Sequence, residues 1–353
     1  AVKIGGEISS STSEKTIFDV KTKAETIISQ LQANDLTTLL DLLSEHIFNG
    51  IQRKFYIVID DLDKEWVSRQ VVYDLIASMI EVIKEFQTKF KGVKIIISLR
   101  ENLQMKVFSG TSHRGGQREK FSPLFLDLNW KEKELRMMID LRIQNSTNKE
   151  LKLDKIFDKK PSENFIFSYI VERTFLRPRD IISFFNRIFD MTIEKSLIQL
   201  NLVKQAEIKY SIERLNAIED EWSENYGEIT KITSFFHNMY DGFNLRNIKE
   251  DGFAELLVEI DFINYFKGDL YDSCQKWKTA KSDNLNFRVF LSEILEILYR
   301  IGIIGVKRKP TTPVEYYYNE LSPCNKSDFL GDIKIYIHKA FHSVLRINTR
   351  PYE

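Results

Sequence analysis

The stretch FYIVIDDLDKEW, residues 55–66, decides how the first part of the chain is interpreted. Its first five residues, 55–59, are a continuous apolar run rich in β-branched side chains, which favours a buried β-strand. Three carboxylates follow, Asp60, Asp61 and Asp63. Like charges this close repel each other, and each is costly to remove from water. The cluster therefore indicates either a bound cation or acids that only begin the next turn or helix.

The residues after this cluster predict a second strand beside the first. Residues 67–91 have helical spacing, and VKIIISLR, residues 93–100, is another continuous apolar run. Strand, helix and strand form a βαβ unit, which joins two parallel strands by a right-handed crossover. Continuous hydrophobicity predicts that both strands are covered on both faces. Because parallel strands end at one edge of the sheet, we expect the acids to lie near Ser98 and Arg100, where open α/β sheets bind ligands.

The remaining elements follow from periodicity and composition. FLDLNW, residues 125–130, predicts a short third strand, and the Lys-rich stretch 148–163 predicts an exposed linker. Helical spacing predicts helices over 18–46, 131–143, 164–245 and 250–301. The order of elements predicts an α/β core followed by a mainly helical part.

The C-terminal third predicts a winged helix. A helix is followed by RIGIIGVKRKPTTPVEYYYNEL, residues 300–321, which contains two short β runs around a Pro-containing turn. Winged helices often bind DNA through the helix before the wing, but Glu293 and Glu296 make that helix acidic. DNA contact is left open but is not favoured, and a regulatory or oligomer-contact role is preferred. His338 and His342 stand at helical spacing, which suits a metal, yet the apolar run around them favours a packed terminal segment.

Composition excludes several classes of protein. The chain has 353 residues with 51 Lys and Arg against 51 Asp and Glu, so its formal net charge is zero, which argues against coating nucleic acid by bulk charge. A hydrophobic fraction of 43% excludes a disordered chain. The two cysteines, Cys274 and Cys324, have neither disulfide-framework nor zinc spacing. No signal peptide and no apolar run of ~20 residues occur, which predicts a cytoplasmic protein without a membrane span.

An apolar strand that ends in two adjacent acids has the Walker B pattern. Mg²⁺ prefers hard oxygen ligands and keeps several waters, so one carboxylate at a strand end can hold it. In this reading Asp60 is the metal ligand, and Asp61 orients or deprotonates the attacking water. The pattern alone is weak, because many buried strands end in Asp for reasons of turn and capping chemistry.

A second motif, TFLRPRDIISFFNRI, spans residues 174–188. Arg177 and Arg179 flank Pro178, which suits the first turn of a helix. Two arginines at this position oppose the helix dipole, whose positive end is the N-terminus. A shared anion resolves the conflict, and phosphate is the natural candidate. The alternative is that Asp180 and nearby Glu residues neutralise the arginines in a domain contact.

Four segments together resemble the bacterial P-loop ATPases of the KAP-like and STAND-like group: IVIDDLDKEW, IIISLREN, LDLNWKEKELRMMIDLRI and RPRDIISFFNRI. The resemblance covers roughly residues 40–215. It implies Walker B roles for Asp60 and Asp61, a sensor-like position for Arg100, and contact of a lid arginine, Arg177 or Arg179, with the nucleotide's phosphates. It also implies ATP and Mg²⁺ as cofactors, assembly as a homo-oligomer, an effector protein as partner, and a role in defence against phage.

The P-loop of such ATPases is missing from the sequence. No G-x-x-x-x-G-K-[ST] occurs, and GGEISSSTSEKT, residues 5–16, lacks the glycine before the lysine. We therefore expect a partial ATPase core with Walker B over 1–147, a helical lid over 148–215, and a helical plus winged-helix regulatory domain over 216–353. The favoured hypothesis is a nucleotide-dependent switch whose P-loop lies upstream. The alternative is a non-hydrolysing scaffold or a DNA- or protein-binding module with a degenerate core.

Overall fold

The fold is taken from a computed structural model, which describes residues 34–35, 37–48, 54–62, 69–90, 92–109, 121–226, 229–259, 269–279, 284–319, 324–331 and 333–349. The stretch 5–16, Asp63 and the first part of the predicted helix 18–46 lie outside the described residues. Contacts between Cα atoms divide the chain into two compact units, Ala1–Phe125 and Leu126–Glu353. The three functional domain ranges expected from the sequence stay a prediction.

The first unit contains the predicted βαβ arrangement. Strand β1 is Phe55–Ile59, helix α1 is Arg69–Lys89, strand β2 is Val93–Ile97 and helix α2 is Glu101–Ser109. The two strands are parallel and in step along their whole length. The apolar side chains of α1 that recur every fourth residue face the core of this unit, as its helical period requires. The buried members of that core are Leu62, Val72, Ile76, Ile80, Val107 and Phe121. Upstream of β1, residues 37–43 are helical and lead into a π-helical turn, Ser44–Phe48.

The prediction that both strands are covered on both faces is wrong, because β1 is largely exposed and Ile96 of β2 is 45% exposed. Tyr56 is 61% exposed and Val58 is 66% exposed, and Ile57 between them is also exposed. In the described part of the chain the parallel sheet has two strands, β1 and β2, so both strands are edges. A continuous apolar run indicates that a strand would be more stable if both of its faces were buried. It does not specify which strand or helix would cover those faces.

The third strand predicted over 125–130 is also wrong. These residues have no ladder partner, and Leu126 and Leu128 are 84% and 83% exposed. The alternation of apolar and polar residues that suggested a strand is real. A strand forms, however, only when its N–H and C=O groups bond to a neighbour, and the period of a sequence does not specify that neighbour.

The second unit begins with five helices that enclose one hydrophobic core. They are α3 (Glu132–Ser146), α4 (Leu153–Ile156), α5 (Glu163–Val171), α6 (Pro178–Met191) and α7 (Leu200–Tyr226). The predicted exposed linker 148–163 is only partly correct. Its lysines are exposed, but Leu153 and Phe157 are buried in the core that these helices share. Because the segment is rich in charged residues, its composition did not indicate that Leu153 and Phe157, four positions apart, would be buried.

A smaller antiparallel sheet follows with more helices. A 3₁₀-helix, Ile229–Phe236, precedes strand β3 (Gly242–Phe243). The sheet order is β3-β5-β4. The other elements are α8 (Glu250–Glu259), α9 (Asp269–Thr279), α10 (Asn284–Arg300), β4 (Ile304–Lys307), α11 (Lys326–Leu330) and β5 (Lys334–Ile337).

Two local predictions in this region need correction. The second β run of the expected hairpin is not a strand, because only Glu315 forms a bridge to Val306, and β4 pairs with β5 instead. His338 and His342 are not on an α-helix, because β5 ends at Ile337 and a 3₁₀ turn follows. The packed terminal segment is what the structure contains: His338 is 1% exposed. None of the helices in the described ranges is long and apolar enough to cross a membrane.

Two glycines allow a matched test of this part of the fold. Gly302 has φ +85°, and a Cβ there would lie 2.9 Å from Cε2 of Phe175. A Cβ on Gly252, in α8, would meet no atom within 4 Å. We expect Gly302→Ala to lower the free energy of unfolding by about 1–3 kcal/mol, because it adds strain and overpacking. Gly252→Ala is expected to raise it by about 0.5–1 kcal/mol, because alanine favours a helix. Urea unfolding of both variants measures the difference, and equal effects would contradict the contact with Phe175.

Candidate functional site

The two acids lie at the carboxyl edge of the parallel sheet. Asp60 and Asp61 follow β1 directly, and both are exposed. The backbone N–H of Ser98 donates to the carbonyl of Ile59 at 2.9 Å, so pairing with the second strand continues up to the acids. The topology therefore brings the acids and the residues that follow β2 to one edge, as the sequence predicted.

The backbone at the acids is unusual. Asp61 has φ +63°, in the left-handed region that Asp tolerates better than most residues. Its N–H donates to Oδ1 of Asp60 at 2.9 Å. This local bond holds the carboxylate of Asp60 against the backbone of Asp61. Sparsely populated backbone conformations of this kind cluster at functional sites, where surrounding contacts hold them.

Arg100 lies at the same end of the second strand. It is exposed and immediately precedes α2, and its carbonyl accepts the N–H of Gln104, the first helical hydrogen bond. Its position is thus fixed by the strand on one side and the helix on the other. The sensor-like role of Arg100 stays a prediction, to which the structure adds this placement between two rigid elements.

The residues at this edge suit Mg²⁺ only if phosphate oxygens complete its coordination. No group of three or more His, Cys, Asp or Glu side chains suited to a metal occurs among the described residues. Mg²⁺ is commonly held by one or two carboxylates together with substrate phosphates and waters. Asp60 and Asp61 suit that arrangement, in which phosphate oxygens complete the coordination, and not a cage made by the protein alone.

The second group of predicted residues lies in the other unit, at the start of α6. Arg177 is the N-cap, with φ −105° and ψ 138°, and Pro178 is the first helical residue. The extended conformation of Arg177 is what a residue before proline prefers. Leu176 has φ +53°, which is rare for a bulky side chain. The loop before α6 is therefore held in a conformation that its own backbone does not favour.

The carboxylate of Asp180 fastens this loop. Its Oδ2 accepts the N–H of Phe175 at 3.2 Å, and its Oδ1 lies 3.0 Å from Nη1 of Arg214. Both charged side chains are almost completely buried, at 2% and 8% exposure. The guanidinium of Arg214 also lies over the ring of Phe175, 4.6 Å from its centroid. The buried pair thus holds α6, α7 and the loop together.

Arg177 is already bound to a carboxylate. Its Nη1 lies 3.1 Å from Oε2 of Glu221 and 3.4 Å from Oε1. The alternative expected from the sequence is met only in part, because an acid neutralises Arg177 but that acid is Glu221, while Asp180 pairs with Arg214. Arg179, one position beyond Pro178, is exposed and has no ion pair in the part of the chain that the structure describes. Of the two lid arginines, Arg179 is therefore the one that can bind an anion without breaking a contact.

Aromatic side chains connect this motif to the end of the chain. The ring of Phe175 stacks on Tyr318 at 5.3 Å and meets His338 edge-on at 4.8 Å. The side chain of His338 bonds to the hydroxyl of Tyr318 at 2.7 Å. Residues more than 140 positions downstream in the 353-residue sequence thus pack directly against the loop before α6. The position of that loop depends on the terminal segment.

Sequence reasoning missed Arg214 and Glu221 as members of this cluster. Both lie on α7, seven positions apart, so they share one face of the helix. Opposite charges at that spacing, on a helix expected to pack against the arginine motif, were the available signal. An open groove of about 500 Å³ elsewhere in this unit is lined by Glu132, Lys133, Arg136, Asn164 and Ser168, and none of the predicted site residues borders it.

Comparison with known proteins gives two matches. Residues 133–219 match the family described as the FunZ-associated C-terminal helical domain. The chain is also 21% identical over 316 residues to the "Putative transposon gamma-delta 80.3 kDa protein" of Escherichia coli (strain K12), an alignment that covers 84% of this chain and 40% of that protein. The chain thus spans less than half the length of this curated relative. No solved structure matches.

Neither match is to the KAP-like or STAND-like ATPases, so that resemblance stays a prediction. The matched range 133–219 begins in α3 and ends within α7. It includes the arginine motif with Asp180 and Arg214, and stops just before Glu221. Over these residues the chain is similar to a FunZ-associated C-terminal helical domain.

Proposed function

We propose that this chain is part of a nucleotide-dependent switch that binds ATP with Mg²⁺, in the manner of the KAP-like and STAND-like P-loop ATPases that it resembles. The observation that carries the proposal is the placement of Asp60 and Asp61 at the carboxyl edge of two parallel strands, with Asp61 in a left-handed conformation. Ligands of open α/β sheets bind at this edge. A P-loop supplied by chain outside this sequence completes the site.

The residues divide the chemistry between them in this proposal. Asp60 holds Mg²⁺, which supplies charge neutralisation to the phosphates, and Asp61 orients the attacking water. Arg100 and Arg179 contact phosphate oxygens, for which a planar guanidinium is suited. Binding is signalled to an effector protein within a homo-oligomer. A role in phage defence rests on the family resemblance, and the relative's name associates that protein with a transposon.

The C-terminal region acts as a winged helix that contacts protein in this proposal. The sheet order β3-β5-β4, with β4 directly after α10, supports the winged-helix topology. From Asn286 to Arg300 no residue of α10 is exposed. A helix that reads DNA has to present a face to the groove. Burial of this helix therefore favours a regulatory or oligomer contact over DNA.

The exposed lid arginine gives the clearest test. We expect Arg179→Ala to weaken binding of ATP–Mg²⁺ by about tenfold, or ~1.4 kcal/mol, because one charge-assisted contact is lost. Stability is expected to change by less than about 0.5 kcal/mol, because the side chain is exposed. Isothermal titration calorimetry and urea unfolding measure the two quantities on the chain extended by the segment that carries the P-loop.

A matched control is Arg142→Ala, which removes another exposed arginine from the same unit, on α3. The proposal requires this variant to bind ATP–Mg²⁺ as the unaltered chain does. Equal binding by both variants would remove Arg179 from the site. Asp60→Asn is expected to abolish the dependence of binding on Mg²⁺.

A non-hydrolysing scaffold is the second candidate. The hydrogen bond from the N–H of Asp61 to Asp60 favours it, because this bond gives the acids a purely local role in turning the chain. Under this candidate Asp60→Asn changes stability alone, and ATP–Mg²⁺ does not raise the melting temperature of the chain extended by the P-loop segment. A clear rise in melting temperature decides for the switch.

A further inference from the structure

One carboxylate of the lid is placed between two arginines. Oε2 of Glu221 lies 3.1 Å from Nη1 of Arg177 and 3.9 Å from Nη2 of Arg214. The first distance is a hydrogen bond, and the second is too long for one. Because Glu221 and Arg214 share a face of α7, a change of side-chain rotamer is enough to exchange one partner for the other.

The more distant arginine is incompletely satisfied. Nη1 of Arg214 is taken by Asp180 at 3.0 Å. Its Nε and Nη2 are buried and form no hydrogen bond within the described residues. A buried donor without an acceptor carries a free-energy cost. The carboxylate of Glu221 thus pairs with Arg177, whose side chain is 38% exposed and can also bind water. The buried guanidinium of Arg214, which solvent does not reach, keeps two N–H donors without an acceptor.

We infer that Glu221 is a switch carboxylate that holds Arg177 until a phosphate group takes its place. When phosphate draws Arg177 away, Glu221 closes on Nη2 of Arg214. The planar fork of that guanidinium then donates to two carboxylates, Asp180 on one side and Glu221 on the other. This inference rests on the proposed function, because the phosphate belongs to the nucleotide bound there.

The loop before α6 supports such an exchange. Leu176, next to Arg177, has φ +53°, a conformation that bulky residues rarely adopt. The position of Arg177 is therefore set by contacts, among which the bond to Glu221 is one, and not by the preference of its backbone. Loss of that bond leaves Arg177 free to follow an anion at the N-terminus of α6, where Arg179 already faces solvent.

The position of Glu221 beside two arginines makes it a positioning residue with a testable signature. Glu213 provides the matched comparison, because it also lies on α7 and also pairs with an arginine of α6, Arg187, at 3.0 Å. A second arginine near Glu213 is absent from the ion pairs of the described chain. Of these two glutamates, Glu221 is therefore the one that has a second arginine nearby.

The first arm of the test needs no ligand. In Arg177→Ala, we expect the distance from Glu221 to Nη2 of Arg214 to shorten from 3.9 Å to about 2.9 Å in a crystal structure. In the same background Glu221→Gln is expected to lower the folding equilibrium constant by about fivefold, or ~1 kcal/mol. Glu213→Gln in Arg187→Ala is expected to leave it unchanged. An unchanged 3.9 Å distance overturns the exchange.

The second arm measures binding to the chain extended by the segment that carries the P-loop. We expect Glu221→Gln to raise the affinity for ATP–Mg²⁺ by about tenfold, since Arg177 is no longer held back, whereas Glu213→Gln leaves it unchanged. The gain should vanish in the double variant with Arg177→Ala. Inorganic tripolyphosphate serves as the second probe: an equal gain assigns the switch to the phosphate chain, and a gain with ATP alone assigns it to the nucleotide.

The two arms separate the two claims. If neither probe binds any variant, the proposed nucleotide site is wrong, while the crystal structure of Arg177→Ala still decides whether Glu221 changes partner. If ATP–Mg²⁺ binds but Glu221→Gln brings no gain, the inference about Glu221 is wrong and the proposed function stands.

Discussion

Replacing Asp180 by alanine is expected to lower the free energy of unfolding by about 3–5 kcal/mol, because it leaves a buried arginine without its carboxylate. Arg214 is 8% exposed, and Nη1 of its guanidinium has Asp180 as its hydrogen-bonded partner. The N–H of Phe175 loses its acceptor as well. Both interactions hold the loop that positions the arginine motif. Their loss is therefore expected to displace Arg177 and Arg179 as well as to destabilise the core. Urea unfolding followed by circular dichroism measures the change.

Asp190→Ala is the matched control for this prediction. Asp190 also lies on α6 and also pairs with an arginine, Arg187, at 2.8 Å, but its side chain is 54% exposed. Exposed ion pairs contribute little, so we expect a loss below about 1 kcal/mol. A similar loss in both variants would mean that the burial of the pair with Arg214 does not matter. Asp180→Asn should lie between the two, because its amide oxygen can still accept from Phe175.

The fold could be predicted from the sequence wherever a local period decided it. Strand β1, the helix after it and the parallel strand β2 follow from an apolar run, a helical period and a second apolar run. The strand expected over 125–130 did not form, although its alternation is clear. Helices satisfy their own backbone hydrogen bonds, whereas a strand depends on a neighbouring strand that is often distant in sequence. This difference explains why the helices were the safer prediction.

The candidate site shows the same difference between what local sequence predicts and what depends on distant partners. Asp60, Asp61 and Arg100 could be placed from strand ends alone, because parallel topology brings those ends together. The partners of the arginine motif could not, since Glu221 lies 44 positions after Arg177. The sequence allowed either an anion or an acidic neighbour for these arginines. The structure contains the acidic neighbour for Arg177 and leaves Arg179 exposed, a distinction that depends on side-chain packing between α6 and α7.

A second large effect is expected at His338, in the segment that packs on the same loop. Its Nδ1 accepts the N–H of Ala340 at 3.0 Å, so the ring proton sits on Nε2, which donates to the hydroxyl of Tyr318. Burial lowers the pKa of His338 well below its usual value, and the charges of His342, Arg214, Lys339 and Arg173 lower it further. Adding a proton to Nδ1 would also break the bond to Ala340.

The sign of the pH dependence follows from this lowered pKa. In the unfolded chain a histidine takes up a proton as the pH falls through about 6.5, while the folded chain keeps His338 neutral. The unfolded state then binds more protons, so acidification favours unfolding. Stability is fully present above this pH, and between about pH 7 and pH 5 His338 alone is expected to remove roughly 2 kcal/mol of it.

His338→Asn tests the assignment, because the asparagine side chain can still accept the N–H of Ala340 but does not titrate. The variant is expected to be less stable near pH 7.5 and to lose about 2 kcal/mol less than the unaltered chain on acidification. His342→Asn provides the comparison. The pKa of that half-buried ring is lowered too, by burial, but its bond to the carbonyl of Ile337 opposes the shift, so a smaller part of the pH dependence should disappear. Urea unfolding at several pH values gives the slopes. If His338→Asn retains the full slope, the acid sensitivity of the fold arises at another group, and the terminal segment does not hold its buried histidine neutral.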